Sequence, residues 1–150
     1  MTPKPDKNSI PAFREDGYLP EGLFPATLAE ITFRFGTSSR RRRFLTLRLR
    51  RWVELARATG VSRMFVDGSF VTSKQDPNDI DAVVMLSNDF RDQILNENDH
   101  ALELEDMLLT RQPEELFAAE DANDWEEWLE FFSRTRELDE RRKGLVELIL

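Results

Sequence analysis

The tightest constraint on this chain lies between Met64 and Leu86, where two short apolar runs flank the stretch GSFVTSKQDPNDID, Gly68 to Asp81. Met64-Phe65-Val66 and Ala82 to Leu86 are each too short for an independent helix, so both are expected as strands. Gly68-Ser69 and the turn Asp76-Pro77-Asn78 break the chain between them. Period-two alternation in the second strand puts Asp79 and Asp81 on one face. Two carboxylates held that way repel unless something positive sits between them. A divalent cation is the ordinary solution, because Mg²⁺ takes a few carboxylate oxygens and leaves its other positions to water or phosphate. Gly68 permits close backbone approach, and Ser69 supplies a hydroxyl and a free backbone N–H, donors that suit a phosphate. Lys74 is the one cation within the corner; it either neutralises a triphosphate or is a solvated loop lysine. Asp67 stands directly before the glycine and either touches the site or accepts nearby backbone N–H groups.

This order, Gly68-Ser69 at a strand end, a corner, then Asp79-Ile80-Asp81 opening the next strand, resembles the nucleotidyltransferase superfamily that includes DNA polymerase β and the minimal nucleotidyltransferases of bacteria. The longer form GSFVTSK followed by a Pro and Asp-x-Asp also looks like a group of small bacterial proteins in that superfamily. The resemblance implies an α/β (α+β) fold with a small mixed sheet flanked by helices. It implies transfer of a nucleoside monophosphate from an NTP to a hydroxyl with Mg²⁺ or Mn²⁺ as cofactor, releasing pyrophosphate. On the matching positions, Asp79 and Asp81 hold the metal, while Gly68, Ser69 and Lys74 meet the nucleotide's phosphates. The family brings a third carboxylate from a later strand. Glu115, with Glu114 as its neighbour, lies in the corresponding place and by the resemblance is the third catalytic and metal-ligating carboxylate, although Glu stands where Asp is usual. The acceptor implied is an RNA end or a partner protein, in a toxin–antitoxin or phage-defence setting. The alternative is a catalytically silent binding module of the same fold, an antitoxin-like partner protein.

The rest of the chain frames that core. Residues 1–25 hold Pro3, Pro5, Pro11, Pro20 and Pro25, which cannot sustain a helix, so an extended arm is expected to pack on a single domain spanning 26–150. Phe13, Tyr18, Leu19, Leu23 and Phe24 are its candidate anchors. Thr27 and Glu30 form a capping box for a short helix that Gly36 ends. Ser38 or Ser39 caps a long helix to Gly60, with Leu45, Leu49, Trp52 and Ala56 as its core stripe. Eight arginines occupy other positions of that helix, Arg40 to Arg43 among them. They form either a solvated face or a surface for RNA, nucleotide or an acidic partner, since guanidinium pairs well with phosphate and carboxylate.

Later segments read as a helix to Leu95, a second from His100 to Leu109 with Leu102, Met107 and Leu109 inward, and a third from Asn123 to Glu137. Trp125, Trp128, Leu129 and Phe132 make the buried face of that third helix. Arg141 to Gly144 is a turn, and Leu145 to Leu150 a final buried strand. The net charge of −8 hides an asymmetry: residues 89–140 carry 18 acidic and four basic side chains, a net of −14, which leaves +6 elsewhere. That basic remainder keeps nucleic acid open as a partner. The single histidine, His100, excludes a multi-His metal site, and zero cysteines exclude thiolate chemistry. No run approaches the ~20 apolar residues of a membrane span. A cytoplasmic protein with no membrane partner is the expectation.

Overall fold

The computed structural model describes residues 10–110, 115–135 and 141–150. Strands β1 (Leu23–Ala26), β2 (Arg63–Asp67), β3 (Asp81–Met85), β4 (Glu115–Ala119) and β5 (Leu145–Leu148) form one mixed sheet in the order β1-β5-β2-β3-β4. The pairings β1–β5 and β3–β4 are parallel, whereas β5–β2 and β2–β3 are antiparallel. Helices α1 (Leu28–Phe35), α2 (Arg40–Thr59), α3 (Phe90–Leu95), α4 (Asp99–Thr110) and α5 (Ala122–Phe132) flank it. The protein is therefore a mixed α/β fold. No helix among the described residues is long and apolar enough to cross a membrane.

Alternation divides the sheet into two faces. Met64, Val66, Ala82, Val84, Leu116 and Val146 point to one side and pack with Leu45, Leu49, Trp52 and Ala56 of α2 and with Ala101 and Leu104 of α4. Phe65, Val83, Phe117 and Leu145 point to the other, where Trp125 and Phe132 of α5 cover them. Phe132 packs its ring edge-on to Phe65 and tilted against Phe117, at 5.8 and 5.5 Å between centroids.

The helix starts follow their caps. Thr27 and Glu30 form the capping box of α1, and the Ser39 hydroxyl accepts the Arg42 N–H at the start of α2. In α4 Ala101 and Leu104 are buried and Met107 packs against the same core as expected, whereas Leu102 and Leu109, also expected inward, face solvent. Glu137, the expected end of the last helix, lies outside the described residues; α5 ends at Phe132, capped by Ser133.

The amino-terminal segment differs from a simple surface arm. It is extended, yet Leu23–Ala26 is an edge strand of the sheet, paired in register with Leu145–Leu148. Pro25 is tolerated there because an edge position leaves one side of the strand without ladder bonds. Upstream, Arg34 donates to the carbonyls of Ile10 and Pro11 at 3.2 and 2.8 Å, and Phe13 packs on Phe35.

Candidate functional site

Three strands end in a row of carboxylates. In the antiparallel pair β2–β3, Asp67 lies opposite Asp81; in the parallel pair β3–β4, Asp81 lies opposite Glu115. All three share the parity of Phe65, Val83 and Phe117, which form the neighbouring row. On the α5 side of the sheet, an apolar row under Phe132 thus gives way, two residues along each strand, to an acidic one. The acidic row opens into a cavity of about 790 Å³ that Gly68, Ser69 and Asp79 also line.

The corner itself is built on Gly68, whose φ of +87° belongs to the left-handed region. A Cβ there would sit 3.1 Å from the Asp79 carbonyl oxygen, the Asp81 nitrogen and the Ile80 Cα. The residue must therefore be glycine for the chain to turn against its own returning segment. Ser69 then opens a single 3₁₀ turn to Val71. Its hydroxyl accepts the N–H groups of Asn78 and Asp79, at 2.9 and 3.2 Å, and donates to Asp79 Oδ1 at 2.6 Å. The Ser69 backbone N–H, expected to be free, donates to the same Asp79 Oδ1 at 2.9 Å. Asp79 precedes β3 instead of belonging to it, so its place beside Asp81 comes from this loop geometry and not from strand alternation.

Seven hydrogen bonds tie the first residues of α2 to neighbouring backbone, six of them on the back of the corner. Arg42 is only 4% exposed, and its guanidinium donates to the carbonyls of Phe35, Phe70, Thr72 and Lys74. Arg41 donates to the carbonyls of Pro77 and Asn78, and the Ser39 hydroxyl to that of Gln75. The Arg40 to Arg43 run is thus not one basic surface: Arg42 is an internal clamp, and only Arg40 and Arg43 face solvent fully. A run of four arginines carries no signal that one of them is buried; its spacing from Leu45, Thr46 and Leu49 on the inward face is the only clue.

Electrostatics concentrate on Asp81. It is 7% exposed, and its Oδ1 has no hydrogen-bond partner. Burial pushes its carboxyl up to about 8, reinforced by the charges of Asp79, Asp67 and Glu115 and by a hydrogen bond with Glu115 that favours the protonated form. Asp67 is 2% exposed and is pushed up to about 6 by burial, against the opposing pull of Lys143, whose Nζ lies 3.0 and 2.8 Å from its two oxygens. The sequence assigned no role to Lys143 beyond its place in the expected turn from Arg141 to Gly144, yet it reaches back to β2; nothing local pointed to that pairing. Lys74, in contrast, lines the cavity with an exposed side chain.

Of the residues expected at the site, the structure brings Gly68, Ser69, Lys74, Asp79, Asp81 and Glu115 to one cavity. Glu114 lies outside the described residues. Among those described, no group of three or more His, Asp or Glu side chains is arranged as a ready metal cage. The donor set is nonetheless chemically suited to a hard cation: carboxylate oxygens, one of them buried and unpartnered. For a cation to be held, Asp79 must leave Ser69 and Asp81 must give up its proton.

Residues 11–149 match the profile of a family of unknown function, DUF6932, and the chain belongs to that family. No curated protein and no solved structure matches it.

Proposed function

We propose that the protein is a metal-dependent nucleotidyltransferase that moves a nucleoside monophosphate from an NTP to a hydroxyl of an RNA end or a partner protein. The observation that carries this reading is the convergence of Asp79, Asp81 and Glu115 beside the Gly68-Ser69 corner, with Asp81 Oδ1 buried and without a partner. A buried carboxylate oxygen left without a partner, as at Asp81, is costly to stability, and such groups are enriched where chemistry needs them.

In this reading Asp79 and Asp81 hold Mg²⁺ or Mn²⁺, and Glu115 stands at the acceptor side of the row. The cation supplies charge neutralisation for the phosphates and for the leaving pyrophosphate. The chain's own residues orient the rest. Ser69 presents its hydroxyl and N–H to the outer phosphates once Asp79 turns away. Glu115 takes the proton of the acceptor hydroxyl as its oxygen bonds to the α-phosphorus, and the bond from that phosphorus to the bridging oxygen of pyrophosphate breaks. Arg41 and Arg42 keep the corner in place from behind. Positioning and charge do most of the work.

A second reading has an observation of its own. Asp79 Oδ1 is engaged by the Ser69 N–H and hydroxyl and Asp67 by Lys143, so two of the site's carboxylates are satisfied without any ion, as a silent binding module would require. Incubation with each labelled NTP, Mg²⁺ and cell extract separates the two. Label transferred to a macromolecule and lost in Asp81→Asn supports the enzyme; NTP binding with no transfer in any extract leaves the binding module.

A further inference from the structure

We propose that Lys143 is the anion-binding group of the cavity, its ammonium held by Asp67 so that it takes a phosphate oxygen of the bound ligand. The proposal rests on the nucleotide reading for the ligand's identity as a polyphosphate; the subsite itself is read from the geometry around Lys143.

An ammonium has three N–H donors. Two go to the oxygens of Asp67, at 2.8 and 3.0 Å. Among the described residues nothing takes the third, and Lys143 lines the same cavity as Asp79 and Asp81. The side chain is 13% exposed, and its Nζ lies 5.7 Å from the centroid of the Tyr18 ring. Its backbone is fixed as well. The Lys143 N–H donates to the Ser133 carbonyl at 2.8 Å and the Gly144 N–H to that of Leu19 at 3.0 Å. A Cβ on residue 144 would come within 2.2 Å of the Pro20 carbonyl oxygen, so only glycine allows this approach.

Folding has therefore already ordered the Lys143 side chain. A ligand that meets it loses little further conformational freedom, whereas the exposed Lys74 must be immobilised at the moment of binding. The position also answers an electrostatic need. A polyphosphate entering this cavity meets Asp67, Asp79, Asp81 and Glu115, and a cation at the β5 end of the row cancels the first of these charges. Asp67 in turn supplies the counter-charge for an ammonium that is mostly out of water.

The test is calorimetric titration of the full chain with inorganic tripolyphosphate, with Mg²⁺ and separately in EDTA, at low and moderate salt. The double variant Asp67→Asn/Lys143→Met removes both charges and leaves neither buried alone. It is expected to weaken binding about ten-fold, the loss of one charge-assisted hydrogen bond, and to flatten the salt dependence. Lys74→Met is expected to change affinity less. Asp67→Asn alone leaves the ammonium without its counter-charge and is expected to bind tripolyphosphate more tightly; it also serves if the double variant does not fold. Wild-type affinity in the folded double variant, an unchanged or weaker affinity in Asp67→Asn, or a larger loss in Lys74→Met overturns the proposal. The two readings fail separately. If Asp79→Asn/Asp81→Asn loses the Mg²⁺-dependent binding while Asp67→Asn/Lys143→Met does not, the nucleotide site stands and the subsite falls. If binding needs Lys143 but neither Mg²⁺ nor the two aspartates, the subsite stands and the nucleotidyltransferase reading falls.

Discussion

Asp79 Oδ1 accepts two hydrogen bonds from one residue, the backbone N–H of Ser69 at 2.9 Å and its hydroxyl at 2.6 Å. The donors suited to a phosphate are thus engaged by a carboxylate suited to a metal. In the proposed function each ligand would free the other's partner: a cation that drew Asp79 away would release the two donors of Ser69. If the proposed metal and triphosphate bind here, their binding would be cooperative through a single residue, and that coupling would have to be reciprocal.

The first prediction follows from that exchange. Mg²⁺ with an NTP should raise the melting temperature more than the sum of the two added singly, since a ligand that binds only the native state stabilises it by mass action. Asp79→Asn/Asp81→Asn should remove the shift. Differential scanning fluorimetry reads both. An equal shift in the double variant would put the nucleotide elsewhere on the protein.

The second concerns the cost of the acidic row. Asp81 has its carboxyl pushed up to about 8 in the fold, against roughly 3.9 in an unfolded chain. A raised carboxyl contributes stability that is complete below the unfolded value and is lost as pH rises through the folded one. In EDTA the wild-type protein should therefore lose stability between about pH 4 and pH 8, with Asp67, pushed up to about 6, adding to the slope. Asp79, Glu115 and Lys143 are the other charges facing this row. Asp81→Asn should be the more stable protein at pH 8, by on the order of 5 °C in melting temperature, and the gap should close toward pH 4. A variant less stable than wild type at pH 8 would mean that Asp81 is not strained.

A third prediction divides the arginine run. Arg42→Gln strips the carbonyls of Phe35, Phe70, Thr72 and Lys74 of their shared donor in a site that is 4% exposed. It should cost about 3 kcal/mol or more, because buried acceptors left without donors carry the desolvation penalty. Arg40→Gln/Arg43→Gln touches solvent-facing side chains and should stay within about 0.5 kcal/mol of wild type. Urea unfolding measures both. Similar losses in the two would return Arg42 to the surface.

These contrasts show which features a sequence can carry. The corner was legible because its signals are local: a glycine at a strand end, a turn proline, two apolar runs and helix caps three residues long. The carboxylate row was half legible. Asp81 and Glu115 could be placed on strand starts, but that Asp67 and Glu115 flank Asp81 in register depends on pairing across the sheet. Lys143 and Arg42 were not legible. One reaches 76 residues back to Asp67 and the other clamps carbonyls some 30 residues ahead, and neither contact leaves a periodicity. The edge strand at Leu23–Ala26 escaped for the same reason, since its partner lies at the far end of the chain.

The last prediction separates transfer from binding. Two aspartates are enough to hold a metal–triphosphate complex, but transfer also needs a base beside the acceptor oxygen. Glu115 begins β4 directly opposite Asp81 and is exposed to the cavity, so it can meet an acceptor that the buried Asp81 cannot. Its longer side chain spans the extra distance that a strand start leaves. Glu115→Gln keeps that length and a hydrogen-bonding oxygen while removing the base. It should leave the NTP-dependent rise in melting temperature largely intact and lower transfer of label by at least 10²-fold, the usual contribution of a positioned general base. Asp81→Asn, in contrast, should lose both. If Glu115→Gln transfers label at the wild-type rate, the base is another group. If instead it abolishes the NTP-dependent shift together with transfer, Glu115 belongs with Asp79 and Asp81 in holding the metal, and the proton of the acceptor goes elsewhere.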